Sequence, residues 1–355
     1  MRSRVLALVI GCSFAALGPP ALAQTATGAP APLPMRAYVP TTISPEAAAI
    51  YAGYKAFVMA PTPAIPTTAA GFEALYQANE KRSLSVAETA LKTYGSTASD
   101  RVMGGTPTVE VRPRGYKDDG SVLIYVHGGG FISGSARSNL LGPAIMADAT
   151  GRRVISVEYA VAPRGQFPLV TDQVAAVYKA LLAEGVKPAR IGMFGGSAGG
   201  TIVAATALKI RDQGLPMPAA LLLQSPATDL TGAGDTRITL SEADPALRPG
   251  TVQPGIDAYA PPSDQRNPYA SPVYGDFKKG YPPTLIQGGT KEFLLSDFVR
   301  LHRAIRGAGG DSRLEIYEGM PHGFSDLMVN TPEGREAKAE AVAFWNQHLA
   351  GPKRR

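Results

Sequence analysis

The sequence predicts an α/β fold built on a mostly parallel, doubly wound sheet, and three observations carry that reading. From about residue 107 onward, short apolar runs alternate with helical stretches, the order a chain of βαβ units requires. Several of those runs are continuously apolar, as in Val122-Leu123-Ile124-Tyr125-Val126, which suits strands buried on both faces. The composition supplies the core: 355 residues, 45% hydrophobic and 18% charged, are enough for one large core or two modest ones. Gly and Pro make up about a fifth of the chain, above the globular norm of roughly 12% but below the level of a disordered tract. A single Cys excludes a disulfide scaffold. The lack of a Gly period, of a sustained heptad and of more than one long apolar run excludes collagen-like, coiled-coil and multi-span membrane classes.

The one long apolar run is N-terminal. Arg2 and Arg4 precede the apolar stretch 5–17, and Ala21-Leu22-Ala23 offers a small-x-small cleavage site before Gln24, so residues 1–23 read as a signal peptide. The expectation is an exported protein, periplasmic or secreted. A competing reading takes Val9-Ile10-Gly11-Cys12 as a lipobox with a lipid-anchored Cys12, although 13–23 stays largely apolar. Cleavage removes the only Cys, which suits an oxidising compartment. It also lowers the net charge from +6 to +4, too small and too scattered an excess to argue for nucleic acid; only Lys353-Arg354-Arg355 clusters.

Residues 24–45 are rich in Ala, Pro and Thr and read as a flexible lead. Ser44-Pro45-Glu46 has the order N-cap, first-turn Pro, first-turn acid, and starts a helix; another runs over about 85–94 and stops at Gly95. Strands are expected at 109–112, 122–127, 154–159, 191–195, 219–224, 284–287 and 314–317, with helices near 138–149, 170–184, 198–213, 296–306 and 333–349. The Pro- and Gly-rich stretch 226–275 breaks the alternation and is too long for a plain loop, so it reads as an insertion folded over one edge of the sheet.

The most specific motif is Gly195-Gly196-Ser197-Ala198-Gly199-Gly200. It follows the strand at 191–195 and opens the next helix, the strand–turn–helix context of a nucleophile elbow. Such a turn is too tight for flanking side chains and lifts the Ser hydroxyl above the sheet at a helix N-terminus. A Ser nucleophile needs a base, which follows it in the chain in this arrangement, leaving His302, His322 and His348. His302 and His348 fall inside helical runs and read as surface or packing residues. His322 stands in the loop Gly319-Met320-Pro321-His322-Gly323-Phe324 just past a strand, at the edge where such sheets place their chemistry. A third residue should orient the imidazole. Glu292, in the loop after the strand at 284–287, is preferred to Asp297, whose charge the next helix dipole already explains; a solvated Glu292 paired with Lys291 is the bland alternative. Gly128 and Gly129 of His127-Gly128-Gly129-Gly130-Phe131, with Ala198, offer backbone N–H groups for an oxyanion.

Taken together these residues resemble the bacterial hormone-sensitive-lipase-like family of α/β-hydrolases, a group of serine carboxylesterases. The likeness spans about 105–350. Its carriers are the HGGGF at 127–131, Tyr159 with Ala162-Pro163 and Phe167-Pro168, the GGSAGG at 195–200, Ser225-Pro226 with Asp229-Leu230, the Glu292 loop and Gly319-Met320-Pro321-His322-Gly323. The resemblance implies an α/β-hydrolase domain over 106–352 under a helical cap, the cap coming from residues 46–105 and the insertion at 226–275. It also implies an acid 30 residues before the His, which is Glu292 where Asp is commoner. This chain departs from the pattern at Ala160 and Arg164, where the family usually has Arg and Glu, and at Lys291, often Asp.

The function so implied is hydrolysis of short- to medium-chain carboxylic esters through an acyl-enzyme, with Ser197 as nucleophile, His322 as base and Glu292 as its acid. No metal and no organic cofactor is expected, and the partner is a small-molecule ester; lactone and aryl-amide substrates share the mechanism. Two readings compete. A dinucleotide-binding oxidoreductase would use Gly128-x-Gly130-x-x-x-Gly134 and Glu158, but that spacing is one residue too long. A catalytically silent binding module on the same scaffold would have lost the base, whereas His322 is present.

Overall fold

The computed structural model describes residues 35–60 and 64–349. The leader at 1–23, Cys12, the lead as far as residue 34 and the basic tail at 353–355 lie outside the described residues.

Helix α1 (Pro45–Met59) starts where the Ser-Pro-Glu signal places it. Ser44 Oγ accepts from the Ala47 N–H at 3.1 Å and donates to Glu333 at 2.8 Å, which fastens this first turn to the C-terminal part of the chain. Helix α2 (Ala69–Tyr94) is far longer than the expected 85–94. It ends at Gly95, as expected, but it begins at a Thr68 cap; only Phe72, Ala87 and Ala90 are buried, so its first half shows no apolar stripe to read. The described end of the lead is tied down rather than loose: the Lys291 ammonium donates to the Tyr38 carbonyl at 2.6 Å, and Arg36 pairs with Glu242.

Eight strands form one sheet: β1 (Thr97–Met103), β2 (Thr106–Arg112), β3 (Val122–Val126), β4 (Arg153–Val157), β5 (Ile191–Gly196), β6 (Ala220–Gln224), β7 (Thr284–Gly289) and β8 (Ser312–Tyr317). Their order is β1-β2-β4-β3-β5-β6-β7-β8, antiparallel at β1–β2 and β2–β4 and parallel elsewhere. Strand β1 was not expected. It is an edge strand whose residues are exposed or half-buried except Met103, so it carries none of the apolar run that marks its neighbours. The helices α3 (Leu141–Thr150), α4 (Phe167–Ala183), α5 (Ala198–Asp212), α8 (Leu295–Gly307) and α10 (Pro332–His348) fall within a few residues of the stretches that periodicity picks out.

The pleat explains why the central strands are apolar throughout. Val122, Ile124 and Val126 face a core that includes Val174 and Ile202, while Leu123 and Tyr125 face one that includes Phe194 and the fully buried Trp345. Each such aliphatic residue contributes about 1.5–3 kcal/mol relative to exposure. The segment 226–275 holds α6 (Thr236–Thr239) and α7 (Pro249–Tyr259, with Pro254 inside it), joined by turns, which is why no period was visible there. A last short helix, α9 (Phe324–Leu327), follows the His322 loop.

Register decides where chemistry sits. Val126 pairs with Gly195, Gly196 with Gln224, Gln224 with Gln287 and Gly289 with Tyr317, so the carboxyl ends of β3, β5, β6, β7 and β8 finish along one edge. His127, Ser197, Ser225 and the loops carrying Glu292 and His322 all leave from that edge, the place where parallel sheets present their sites.

Candidate active site

Ser197 is the N-cap of α5 and has φ 55 and ψ −126, a conformation that L residues rarely adopt. The flanking glycines make it attainable. A Cβ on Gly195 would lie 2.6 Å from the Val126 carbonyl oxygen and one on Gly199 only 2.0 Å from it, so strand β3 and helix α5 approach as they do because both positions lack side chains. The Ser197 N–H donates to the Gln224 carbonyl at 2.8 Å, which holds the turn against β6.

The structure brings three of the expected side chains into one hydrogen-bonded chain. Ser197 Oγ lies 3.0 Å from His322 Nε2, and His322 Nδ1 lies 2.8 Å from Glu292 Oε2. Glu292 is fully buried, and its other oxygen accepts from the Ser225 hydroxyl and from the Gly289 N–H, each at 2.8 Å. Asp297 is turned elsewhere: its buried carboxylate accepts from the Asp229 N–H at 3.0 Å and pairs with Arg237 at 2.8 Å. Lys291 does not pair with Glu292; its ammonium faces the rings of Tyr38 and Tyr51 at 5.5 and 5.4 Å. His302 bonds Ser312 at 3.0 Å and His348 packs on Phe344, both away from Ser197.

The backbone N–H groups of Gly128, Gly129 and Ala198 take no other hydrogen-bond partner among the described residues, and Gly128 and Gly129 line the same cavity as Ser197. The strand-end loop that presents them is braced by Tyr159, whose hydroxyl donates to the His127 carbonyl at 2.9 Å and whose ring stacks on the His127 imidazole at 4.2 Å. Burial pushes His127 down to about 4, so it stays neutral there. The dinucleotide reading finds no support in this geometry. The glycines at 128–134 do not open a helix, since α3 begins at Leu141, and the Glu158 carboxylate is taken by the Ala136 N–H at 2.6 Å.

A family model described as alpha/beta hydrolase fold matches residues 123–326. The chain is 34% identical over 259 residues to an acetyl-hydrolase of Streptomyces hygroscopicus, covering 73% of this chain and 86% of that one. It superposes on the crystal structure of an esterase from the bacterial hormone-sensitive lipase family with a TM-score of 0.76 at 29% identity, over 86% of this chain and 99% of the other. The chain belongs to the hormone-sensitive-lipase-like α/β-hydrolases. An esterase of Acinetobacter venetianus, 31% identical over 256 residues (69% of this chain, 84% of that one), and the crystal structure of esterase E25, with a TM-score of 0.80, 27% identity and coverage of 91% and 98%, agree with that placement. This α/β-hydrolase is a carboxylic ester hydrolase.

Where the hydrolase departs from its family pattern, other contacts take over. Arg164 lies over the Tyr76 ring at 4.3 Å and 3.9 Å from Glu73, both on α2, and the Ala160 N–H donates to Gln173 at 2.9 Å. The loop is thus held by α2 and α4 instead of by an internal charge pair.

Two residues near the imidazole had no assigned part in the sequence reading. Ser225, at φ 48 directly after β6, orients Glu292; the hint was a small hydroxyl residue at a strand's carboxyl end. Asp244, from the segment 226–275, is 1% exposed; one oxygen accepts from the Ala246 and Leu247 N–H groups and the other has no partner. Burial, with the Glu292 charge adding to it, pushes its pKa up to about 7, although the nearby His322 acts against the rise. Asp244, Glu292 and His322 place one ligand atom each within 4.8 Å, the geometry of a metal cluster, but both imidazole nitrogens are already engaged by Ser197 and Glu292.

Burial alone would depress the His322 imidazole, and Arg237 acts in the same sense. The Glu292 hydrogen bond and charge, joined by Asp244, outweigh both, so its pKa lies above the ordinary 6.5. A base works only unprotonated, so kcat/KM for a short p-nitrophenyl ester is expected to fall as pH drops through a value above 6.5. Asp244→Asn removes a carboxylate that favours the imidazolium and should move this limb to lower pH; a limb that stays put or moves up contradicts the assignment.

Proposed function

We propose that the chain hydrolyses short-chain carboxylic esters through an acyl-enzyme on Ser197. The observation that carries this reading is the continuous path from Ser197 Oγ to His322 Nε2 and from His322 Nδ1 to a doubly held Glu292. As Ser197 Oγ attacks the ester carbonyl carbon, His322 takes its proton and Glu292 stabilises the resulting imidazolium. The carbonyl oxygen becomes an oxyanion within reach of the N–H groups of Gly128, Gly129 and Ala198. Collapse breaks the C–O bond to the alcohol, which leaves with the His322 proton. Water, deprotonated by His322, then attacks the acyl carbon; the acid departs and Ser197 regains its proton.

The short acyl preference rests on a second feature. Beside Ser197 lies an apolar recess of about 20 Å³, lined by Phe131, Ala198, Ala227, Leu247, Val252 and Ile256, little larger than the space a water molecule needs. Across a p-nitrophenyl series from acetate to dodecanoate, kcat/KM should be highest for acetate and fall as the acyl chain lengthens; a steady rise with chain length sinks the reading. Export directed by residues 1–23 belongs to the same proposal and rests on the basic, apolar and small-x-small order of that segment.

A further inference from the structure

A second, larger cavity opens at Ser197 and shares no other lining residue with the apolar recess. It measures about 340 Å³ and is walled by Gly128 and Gly129, by Asn139 before α3 and Gly142 within it, by Ser83 of α2, and by α9. Its lining includes one ionisable carboxyl, Asp326, and no Lys or Arg. The buried acids around the site each have at least one oxygen engaged: Glu292 by Ser225, Gly289 and His322, Asp297 by Arg237, Asp229 by Arg300 and Thr231, and Asp244 through one oxygen by two backbone N–H groups. The Asp326 carboxylate has no hydrogen-bond or ion-pair partner among the described residues. One of its oxygens stands 3.3 Å, and the Tyr125 hydroxyl 3.4 Å, from where a Cβ on Gly142 would be, so the missing side chain there leaves the acid open to the cavity. The same carboxyl also borders an adjoining cavity of about 350 Å³ between α2 and α9, so a group bound at Asp326 has room to continue.

We propose that this cavity is the alcohol subsite and that Asp326 selects esters whose alcohol carries a protonated amine. The inference rests on the acyl-transfer reading: with the acyl group confined to the recess of about 20 Å³, the alcohol occupies the larger cavity. An unpaired carboxylate in a partly dehydrated wall is costly, and a ligand cation removes that cost while a neutral alkyl group does not. Burial pushes the Asp326 pKa up to about 6, which leaves it ionised at pH 7.5. The Ser83 hydroxyl and the Asn139 amide oxygen, both in the wall, can accept the further N–H bonds of a primary or secondary ammonium.

The test uses two esters of one shape, 2-(dimethylamino)ethyl acetate and 3-methylbutyl acetate, which differ in a protonated nitrogen against a C–H. The ratio of their kcat/KM values is compared between wild type and Asp326→Asn at pH 7.5, so that the intrinsic reactivity of each ester cancels. The expected result is a tenfold or greater fall of that ratio in the variant, carried mainly by KM. Inhibition of p-nitrophenyl acetate hydrolysis by the two free alcohols adds a reading on wild type alone: the amino alcohol should inhibit at a concentration at least tenfold lower. An unchanged ratio, or equal inhibition by the two alcohols, overturns the assignment of Asp326 while leaving the ester-hydrolase reading intact. Turnover of neither ester nor of p-nitrophenyl acetate overturns both.

Discussion

Ser197→Ala is expected to lower kcat for p-nitrophenyl acetate by about 10⁴-fold or more while the protein stays folded. The size of the effect follows from what a single oxygen does here. Ser197 Oγ is the atom 3.0 Å from His322 Nε2, and the strained backbone that presents it, φ 55, carries the same strain with Ala in place. Nothing in the packing depends on the hydroxyl: the turn is held by the Ser197 N–H on Gln224 and by Thr201, whose hydroxyl donates to the Ala227 carbonyl at 2.7 Å. The thermal midpoint should therefore move little. A residual rate above background is expected, because the N–H groups of Gly128, Gly129 and Ala198 remain to polarise a bound ester. A variant within tenfold of wild type would mean that Ser197 is not the attacking group.

Glu292→Gln and Asp297→Asn, two nominally similar changes five residues apart, should fail in opposite ways. Glutamine at 292 cannot stabilise the imidazolium, and its amide can present a donor to Nδ1 where an acceptor is needed, favouring the wrong tautomer; kcat is expected to drop about 10²–10⁴-fold. Its acid-limb pKa should also fall, since the Glu292 hydrogen bond and charge are what raise His322 against burial. Asp297→Asn leaves the His322 path untouched and removes the charge opposite a largely buried Arg237, a loss of about 3–5 kcal/mol of stability. Measured as kcat on one axis and urea midpoint on the other, the two variants should separate cleanly. Matching losses of kcat with matching midpoints would contradict the assignment of the acid.

Much of this architecture was legible in the sequence for a simple reason: the strands of the central sheet are buried on both faces and so cannot hide. Strands β3 and β6 are buried at every position, and each stands out as an apolar run. Strand β1 and the first half of α2 were not legible, because both lie at the periphery, where polar residues meet solvent and no periodic stripe is required. In the site, Ser197 and His322 were readable because the backbone around them must be glycine-rich, and glycine clusters are visible in one dimension. Glu292 was readable from its place just past a strand end. Ser225, Asp244 and Asp326 were not. Each owes its part to what lies opposite in space: Glu292 for Ser225, the imidazole for Asp244 and, in the part proposed for it, an open cavity for Asp326. Lys291 shows the same limit from the other side, since its neighbour in sequence, Glu292, is not its partner, and the Tyr38 carbonyl, 253 residues away, is.

The proposed acyl-enzyme requires that His322 and Glu292 activate Ser197 toward covalent attack. The most direct measurement is the mass of the intact protein, followed by peptide mapping, after treatment with a small p-nitrophenyl alkylphosphonate, which phosphonylates an activated serine and leaves an inert one alone. One adduct per chain is expected, located on Ser197 and absent from Ser197→Ala. Unmodified wild-type protein, or a label on any other residue that persists in Ser197→Ala, would contradict it.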